Sequence, residues 1–188
     1  VRWYFYTAGA PWLPSRFYGE AVGEAQRRFM STLWNAYAFY ILYADIDGFV
    51  PGEHPLNRAE LTLMDRWILS RLHTTIRQVD EGLSAYKVPE SAAAIDSLVD
   101  DLSNWYIRRG RARFWGKGMA GDKEAAFATL FTVLEALSRL VAPFTPFMAE
   151  AIYQNVVRSW NREAPESVHL SRFPAFEADR VDAEMERQ

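Results

Sequence analysis

Leu61-Thr62-Leu63-Met64-Asp65-Arg66-Trp67-Ile68-Leu69-Ser70-Arg71-Leu72-His73-Thr74-Thr75-Ile76-Arg77-Gln78-Val79-Asp80-Glu81-Gly82-Leu83-Ser84-Ala85-Tyr86 decides the fold class. Within it Leu61, Met64, Ile68, Leu72, Ile76, Val79, Leu83 and Tyr86 recur at steps of three and four. That is one stripe of a 3.6-residue period, so the spacing predicts an amphipathic helix from about Arg58 to Tyr86. Asp65, Arg71, Arg77 and Asp80 fall off the stripe and read as its polar side.

The same period repeats outward in both directions. Upstream, Val22, Phe29, Leu33, Ala36, Tyr37, Tyr40 and Ala44 predict a helix from about Gly19 to Asp45, about 40 Å long at 1.5 Å per residue. Gly48, Pro51, Gly52 and Pro55 separate the two. Before the first helix, Val1–Thr7 is a short apolar segment followed by a loop that Pro11 and Pro14 keep out of helix. Downstream, Pro89 suits the first turn of a third helix, where its missing N–H costs nothing. That helix carries Ile95, Leu98, Leu102 and Trp105 inward and runs toward Trp115, with Gly110 a weak point and Tyr106 on neither face decisively. Gly116, Gly118 and Gly121 make a flexible connection to a fourth helix, with Asp122 as its cap and Phe127, Leu130, Leu134, Leu137 and Val141 as its stripe. Pro143 stops it, and Thr145-Pro146 starts a fifth helix through about Val157.

The fold expected is therefore all-α, an antiparallel bundle of about five helices with a short extended arm near the C-terminus. Residues 1–18 read as a connecting segment, 19–160 as the bundle and 161–188 as an extended arm and acidic tail. In that last part Ser167-Val168-His169-Leu170-Ser171 alternates like a short strand or arm. The acids Glu177, Asp179, Asp182, Glu184 and Glu186 read as a solvated or helical lead into further sequence. The opening lacks a starting Met and reads as cut from something longer, and it carries no signal-peptide pattern.

Composition narrows the function classes. There is no Cys, hence no disulfide scaffold and no thiolate zinc site. That fits a reducing compartment, and a cytoplasmic location is expected. No run of ~18 apolar residues is present to cross a membrane. Catalytic constellations are missing too. His54, His73 and His169 have no ligand spacing, so no metal site is expected, and His73 reads as partly exposed. There is no phosphate-cradling Gly-rich loop and no nucleophile elbow. Asp100 and Asp101 are adjacent and point ~100° apart on a helix, so they form no carboxylate pair. No catalytic residue and no bound cofactor are expected in this chain.

The net charge of −3 excludes a uniformly basic nucleic-acid binder. It is an average, however. The run Asn104-Trp105-Tyr106-Ile107-Arg108-Arg109-Gly110-Arg111-Ala112-Arg113-Phe114-Trp115-Gly116-Lys117 carries +5 with no acid, leaving −8 for the rest. Guanidinium groups fork onto phosphates, aromatic faces stack on unpaired bases for roughly 1–3 kcal/mol each, and Asn104 can read a base edge. Cations at a helix C-terminus also favour the helix dipole, and some of these Arg can pair with acids of neighbouring helices. Trp105 continues the core stripe. RNA binding and bundle-stabilising ion pairs both fit the run. A second face, on the first helix, holds Arg28, Asn35 and Phe39. There Phe39 also fits the core, and Asn35 a helix–helix hydrogen bond.

Four segments in fixed order then carry a resemblance: Leu33-Trp34-Asn35 with Leu42-Tyr43-Ala44-Asp45; Asp65 to Leu72; Leu102-Ser103-Asn104-Trp105-Tyr106-Ile107-Arg108-Arg109; and Ala142-Pro143-Phe144-Thr145-Pro146-Phe147. Together they resemble the helical anticodon-binding domain of class I aminoacyl-tRNA synthetases, the isoleucyl family in particular. The Asp65–Leu72 segment is shared with the valyl and leucyl families, which remain alternatives. A helical protein-interaction module is the alternative of another class.

The resemblance implies a partner, the anticodon stem-loop of tRNA-Ile, and a parent ligase that uses ATP and Mg²⁺. The parent's catalytic signatures would lie upstream and a further domain downstream. It implies a monomer with RNA contacts at Asn35, Phe39, Asn104, Arg108, Arg109, Arg111, Arg113, Trp115 and Lys117. Trp115 sits where methionyl-type enzymes place a Trp that stacks on the anticodon. Their first-helix Asn is matched here by Phe39, with Asn35 as its neighbour.

Overall fold

A computed structural model describes residues 1–9, 12–14, 17–119 and 121–187; Pro11 lies outside them. The expected all-α architecture is present, and no strand occurs among the described residues. Helix α1 (Arg2–Thr7) is short. Helix α2 (Gly19–Ala25) continues through a widened π-turn (Gln26–Met30) into α3 (Ser31–Asp47), making one rod over 19–47. Gly48, in the left-handed region at φ 67°, ends it. Helix α4 (Leu63–Ser84) opens on a reciprocal cap in which Thr62 and Asp65 each bind the other's backbone N–H.

Helix α5 (Val88–Asp100) has Pro89 in its first turn and passes through a second π-turn (Asp101–Ile107) into α6 (Arg108–Phe114). Gly110 lies inside α6, so the irregularity in this rod sits earlier than the glycine suggests. Helix α7 (Asp122–Val141) and α8 (Pro146–Tyr153), extended by a third π-turn (Gln154–Arg158), complete the bundle. Asp122 is the first helical residue of α7 rather than its cap; Gly121 holds that position, and the Asp122 carboxylate is engaged elsewhere.

The stripes become one core. Ile68, Leu72, Ile76 and Val79 of α4 meet Ile95, Leu98 and Leu102 of the third rod and Phe127, Leu130, Leu134 and Leu137 of α7, all buried. Burial of this apolar surface, at ~25 cal/mol per Å², supplies the main drive to fold. Tyr86 leaves the stripe predicted for it. The helix stops at Ser84, and Tyr86 takes a left-handed turn position, φ 59°, with its ring in solvent. Close approach of α4 and α5 depends on Gly82, where a methyl group would run into Ser91 Oγ.

The C-terminal part, expected as a solvated or helical lead, keeps Glu177, Asp179, Asp182 and Glu184 exposed while lying against α4. Val168–Leu170 is a single 3₁₀ turn with Val168 buried, and the chain then folds back along α4. Asp182 N–H donates to Ser70 Oγ (2.8 Å), Thr74 Oγ1 donates to Glu186 Oε1 (2.9 Å), and Ser70 also donates to Glu186. Arg58 pairs with Asp179 (2.7 Å), and Arg77 lies over the Phe176 ring (5.3 Å). Of the tail acids, Glu186 is held by α4, Glu177 and Asp179 pair with Arg58, and Asp182 Oδ1 accepts the Glu184 and Met185 N–H groups of the tail itself. His73, expected to be partly exposed, is buried under this tail, and its Nδ1 accepts the Glu177 N–H (3.1 Å).

An accepting Nδ1 is unprotonated, and burial lowers the His73 pKa from its usual 6.5 against the pull of Glu177 and Asp179. The unfolded chain thus takes up the proton first. This contribution is complete above pH 6.5 and is lost as pH falls through 6.5 toward the lowered folded value. Urea midpoints should fall between about pH 7.5 and about pH 5.5, and His73→Gln should flatten that dependence. An equal fall in the variant would contradict the assignment.

Candidate nucleic-acid interface

The centre of the site is a carboxylate that the sequence pattern places on the polar side of α4. Asp65 is 0% exposed. Its Oδ2 accepts from Thr62 N–H (2.8 Å), Thr62 Oγ1 (2.7 Å) and Arg113 Nη2 (2.7 Å); its Oδ1 accepts from Tyr106 OH (2.6 Å) and Arg113 Nη1 (2.8 Å). Burial alone would raise the Asp65 carboxyl, but the hydrogen bonds from Arg113, Tyr106 and Thr62 outweigh it and hold it below its ordinary range. The same contact, together with complete burial, pushes the Tyr106 phenol far above 10. Arg113 is engaged on every nitrogen, because Nε donates to Asp122 Oδ1 (2.8 Å) and Nη2 reaches the Asp122 carbonyl (3.1 Å). Its side chain is 16% exposed. Arg113, expected among the RNA contacts, ties the end of α6 to the starts of α4 and α7.

The connection after α6 is held from its other end. Buried Lys123 pairs with Asp47 (2.7 Å) and donates to the Gly116 carbonyl (2.7 Å), so α3, α7 and the loop share one cation. Gly118 and Gly121 turn that loop in the left-handed half of backbone space, at φ 76° and 51°. Trp115, between Arg113 and Gly116, is fixed on both sides in sequence yet 57% exposed.

What remains outward is a continuous row. Trp105, Arg108, Arg111 and Trp115 follow one another at steps of three, three and four, with Arg109 beside them, and all five are exposed. The row is about 15 Å long. Trp105, expected in the core, is 45% exposed, while Tyr106 and Ile107 are buried in its place. The π-turn over 101–107 accounts for this. Hydrogen bonds to the fifth residue widen the turn, so positions four and five beyond Leu102 face inward and position three does not. Arg109 sits over the Trp105 ring at 4.2 Å. Arg108, Arg111 and Lys117 are exposed and form no ion pair among the described residues. Asn104 is exposed and donates to Asp100 (2.6 Å).

At the Trp115 end, α3 supplies a shelf. Tyr43 lies 6.5 Å from Trp115, Phe39 lies 4.7 Å from Tyr43 and 5.1 Å from Phe114, and Asn35 is on the same face one turn earlier. Phe39 is half-buried in this cluster. Asn35 is exposed and makes no side-chain hydrogen bond to another described residue, so the helix–helix bond weighed for it is absent. Tyr43 is a partly exposed residue that periodicity did not single out, and Trp105 one that periodicity placed inside. Asp65 did have a sequence signal, its spacing of three from Thr62, which marks a helix start.

A helical rod presenting guanidinium groups without carboxylate partners among the described residues, flanked by exposed indoles, is chemistry for a phosphate-bearing chain with unpaired bases. Residues 65–188 match the anticodon-binding domain of tRNA ligase, and the chain belongs to that family. Among similar proteins are the isoleucine–tRNA ligases of Clostridium kluyveri, 50% identical over 187 residues, and of Clostridium novyi, 51% identical over 188, with the chain fully covered in both. That of Bacteroides fragilis is 41% identical. The chain spans 18% of the length of the clostridial relatives. Its fold also matches Agrobacterium radiobacter K84 agnB2 LeuRS, solved as a LeuRS-tRNA-LeuAMS ternary complex, with a TM-score of 0.66 at 16% identity, over 97% of this chain and 20% of that one.

Removing one member of a buried ion pair strands the other. Arg113→Gln should therefore lower unfolding free energy by about 3–5 kcal/mol, whereas Arg111→Gln should change it by less than about 0.5 kcal/mol. Urea denaturation of the two variants checks this; equal effects would remove Arg113 from its structural role.

Proposed function

We propose that this chain is the anticodon-stem-loop-binding domain of an isoleucine–tRNA ligase. The observation that carries the reading is the exposed row from Trp105 to Trp115, whose Arg108, Arg109 and Arg111 have no acidic partner among the described residues. Family membership and the isoleucine–tRNA ligase relatives support it. In this reading Arg108, Arg109, Arg111 and Lys117 hold backbone phosphates, which positions the RNA. Trp115, on the Phe39–Tyr43 shelf, stacks on an unpaired base of the anticodon loop. Asn35 and Asn104 are exposed amides at the two edges, able to meet base edges. The parent enzyme acts as a cytoplasmic monomer that attaches isoleucine to its tRNA.

The parent's chemistry uses ATP and Mg²⁺. Among the described residues no group of three or more His, Asp or Glu is placed to hold a metal ion, and the sequence has no phosphate-cradling Gly-rich loop. We assign this chain tRNA recognition, on its match to the anticodon-binding domain over residues 65–188. No helix among the described residues is long and apolar enough to cross a membrane.

Trp115→Ala in the ligase that contains this chain should weaken tRNA-Ile binding about 5- to 100-fold, the range of one lost stack. Arg111→Gln with Lys117→Gln should instead flatten the dependence of log affinity on log salt by roughly 1–2. Affinities measured across a salt series check both, and unchanged values would overturn the proposal. A preference for a valyl or leucyl tRNA would reassign the parent.

A further inference from the structure

The Trp115 end of the row has an aromatic shelf behind it and suits a base. The opposite end is built differently. Trp105 presents one ring face to the Arg109 guanidinium at 4.2 Å, so that face is already covered. Its indole N–H forms no hydrogen bond to another described residue and is free to donate. Arg108 lies one turn along on the same face and Arg109 next to it, with neither paired to a carboxylate. The four residues Asn104, Trp105, Arg108 and Arg109 line one shallow surface depression. It is a concentration of donors: two guanidinium groups and an indole N–H, with the Arg109 guanidinium held over the Trp105 ring. Asn104 donates its amide N–H to Asp100 at 2.6 Å.

A set of donors with one covered ring face fits a phosphate rather than a flipped-out base. We propose that Trp105, Arg108 and Arg109 form a second RNA subsite, a clamp on the ribose-phosphate backbone that is separate from the base-stacking position at Trp115. This rests on the RNA-binding reading above. Along the rod the clamp residues lie about 9–15 Å from Trp115, so the two positions engage different nucleotides. The clamp therefore engages the stem or the loop shoulder while Trp115 engages the loop. It contributes affinity without reading sequence, and the orientation of Arg109 depends on the indole.

The test uses the intact ligase that contains this chain, with tRNA-Ile and the same tRNA carrying a substituted anticodon. The variants are Arg108→Gln with Arg109→Gln, Trp105→Ala, and Trp115→Ala for comparison. All are surface changes, and thermal midpoints are recorded for each. The clamp predicts that the double Gln variant loses several-fold affinity for both tRNAs alike and flattens the salt slope by about 1.5. It also predicts that Trp105→Ala reproduces part of that loss, and that ethylation interference at one or two stem phosphates disappears. Trp115→Ala should change the ratio between the two tRNAs instead. If the double Gln variant binds like the parent while Trp115→Ala weakens binding, the clamp is wrong and the domain assignment stands. If neither variant affects binding, both are wrong. A change in the tRNA ratio on Trp105→Ala would make Trp105 a base-reading residue and also overturn the clamp.

Discussion

Everything around the exposed row from Trp105 to Trp115 depends on a carboxylate taken wholly out of water. Asp65 accepts five hydrogen bonds, from its own helix start, from Tyr106 and from both terminal nitrogens of Arg113. A buried carboxylate without partners is strongly unfavourable, so the site tolerates only an arrangement that supplies a cation and a hydroxyl at fixed positions. That requirement joins residues separated by 41 and 48 positions and sets the height at which the third rod crosses α4. Arg113 faces inward to meet it with buried Phe114 beside it, while Arg108, Arg109 and Arg111 of α6 face outward. The internal ion pair and the external cationic row are two sides of one helical turn.

The division of cations follows. Arg71, Arg113 and Lys123 have their charges matched inside the bundle by Asp101, Asp65, Asp122 and Asp47. Arg108, Arg109, Arg111 and Lys117 are left without carboxylate partners among the described residues. The acid-free run thus offers +4 rather than +5 to solvent. In a chain of net charge −3 this local field has direction, which favours an oriented encounter with a polyanion over indiscriminate binding.

Most of the bundle was legible because apolar residues at three- and four-residue steps report burial directly, as Ile68, Leu72, Ile76 and Val79 do. What was not legible came from contacts distant in sequence or from departures from the 3.6 period. Asp65 reads as a surface acid because its partners are far along the chain. Trp105 and Tyr106 exchange places because a π-turn widens the helix at 101–107. The acidic tail reads as solvated because small polar residues of α4, Ser70, His73 and Thr74, carry no hydrophobic signal yet receive its backbone and Glu186. At the site, the aromatic and basic run was visible from composition. Which of its arginines faces inward was not, since Arg111 and Arg113 differ only in what lies opposite them.

The claim that one arginine of the run is structural and its neighbours are free can be tested in a single titration. Nitrogen-15 guanidinium spectra, recorded on this chain while an anticodon stem-loop of tRNA-Ile is added, follow each arginine separately. Arg113 side-chain protons should exchange slowly and keep their positions throughout, while those of Arg108, Arg109 and Arg111 move together. Movement of Arg113 along with the others, or movement of none, would contradict it.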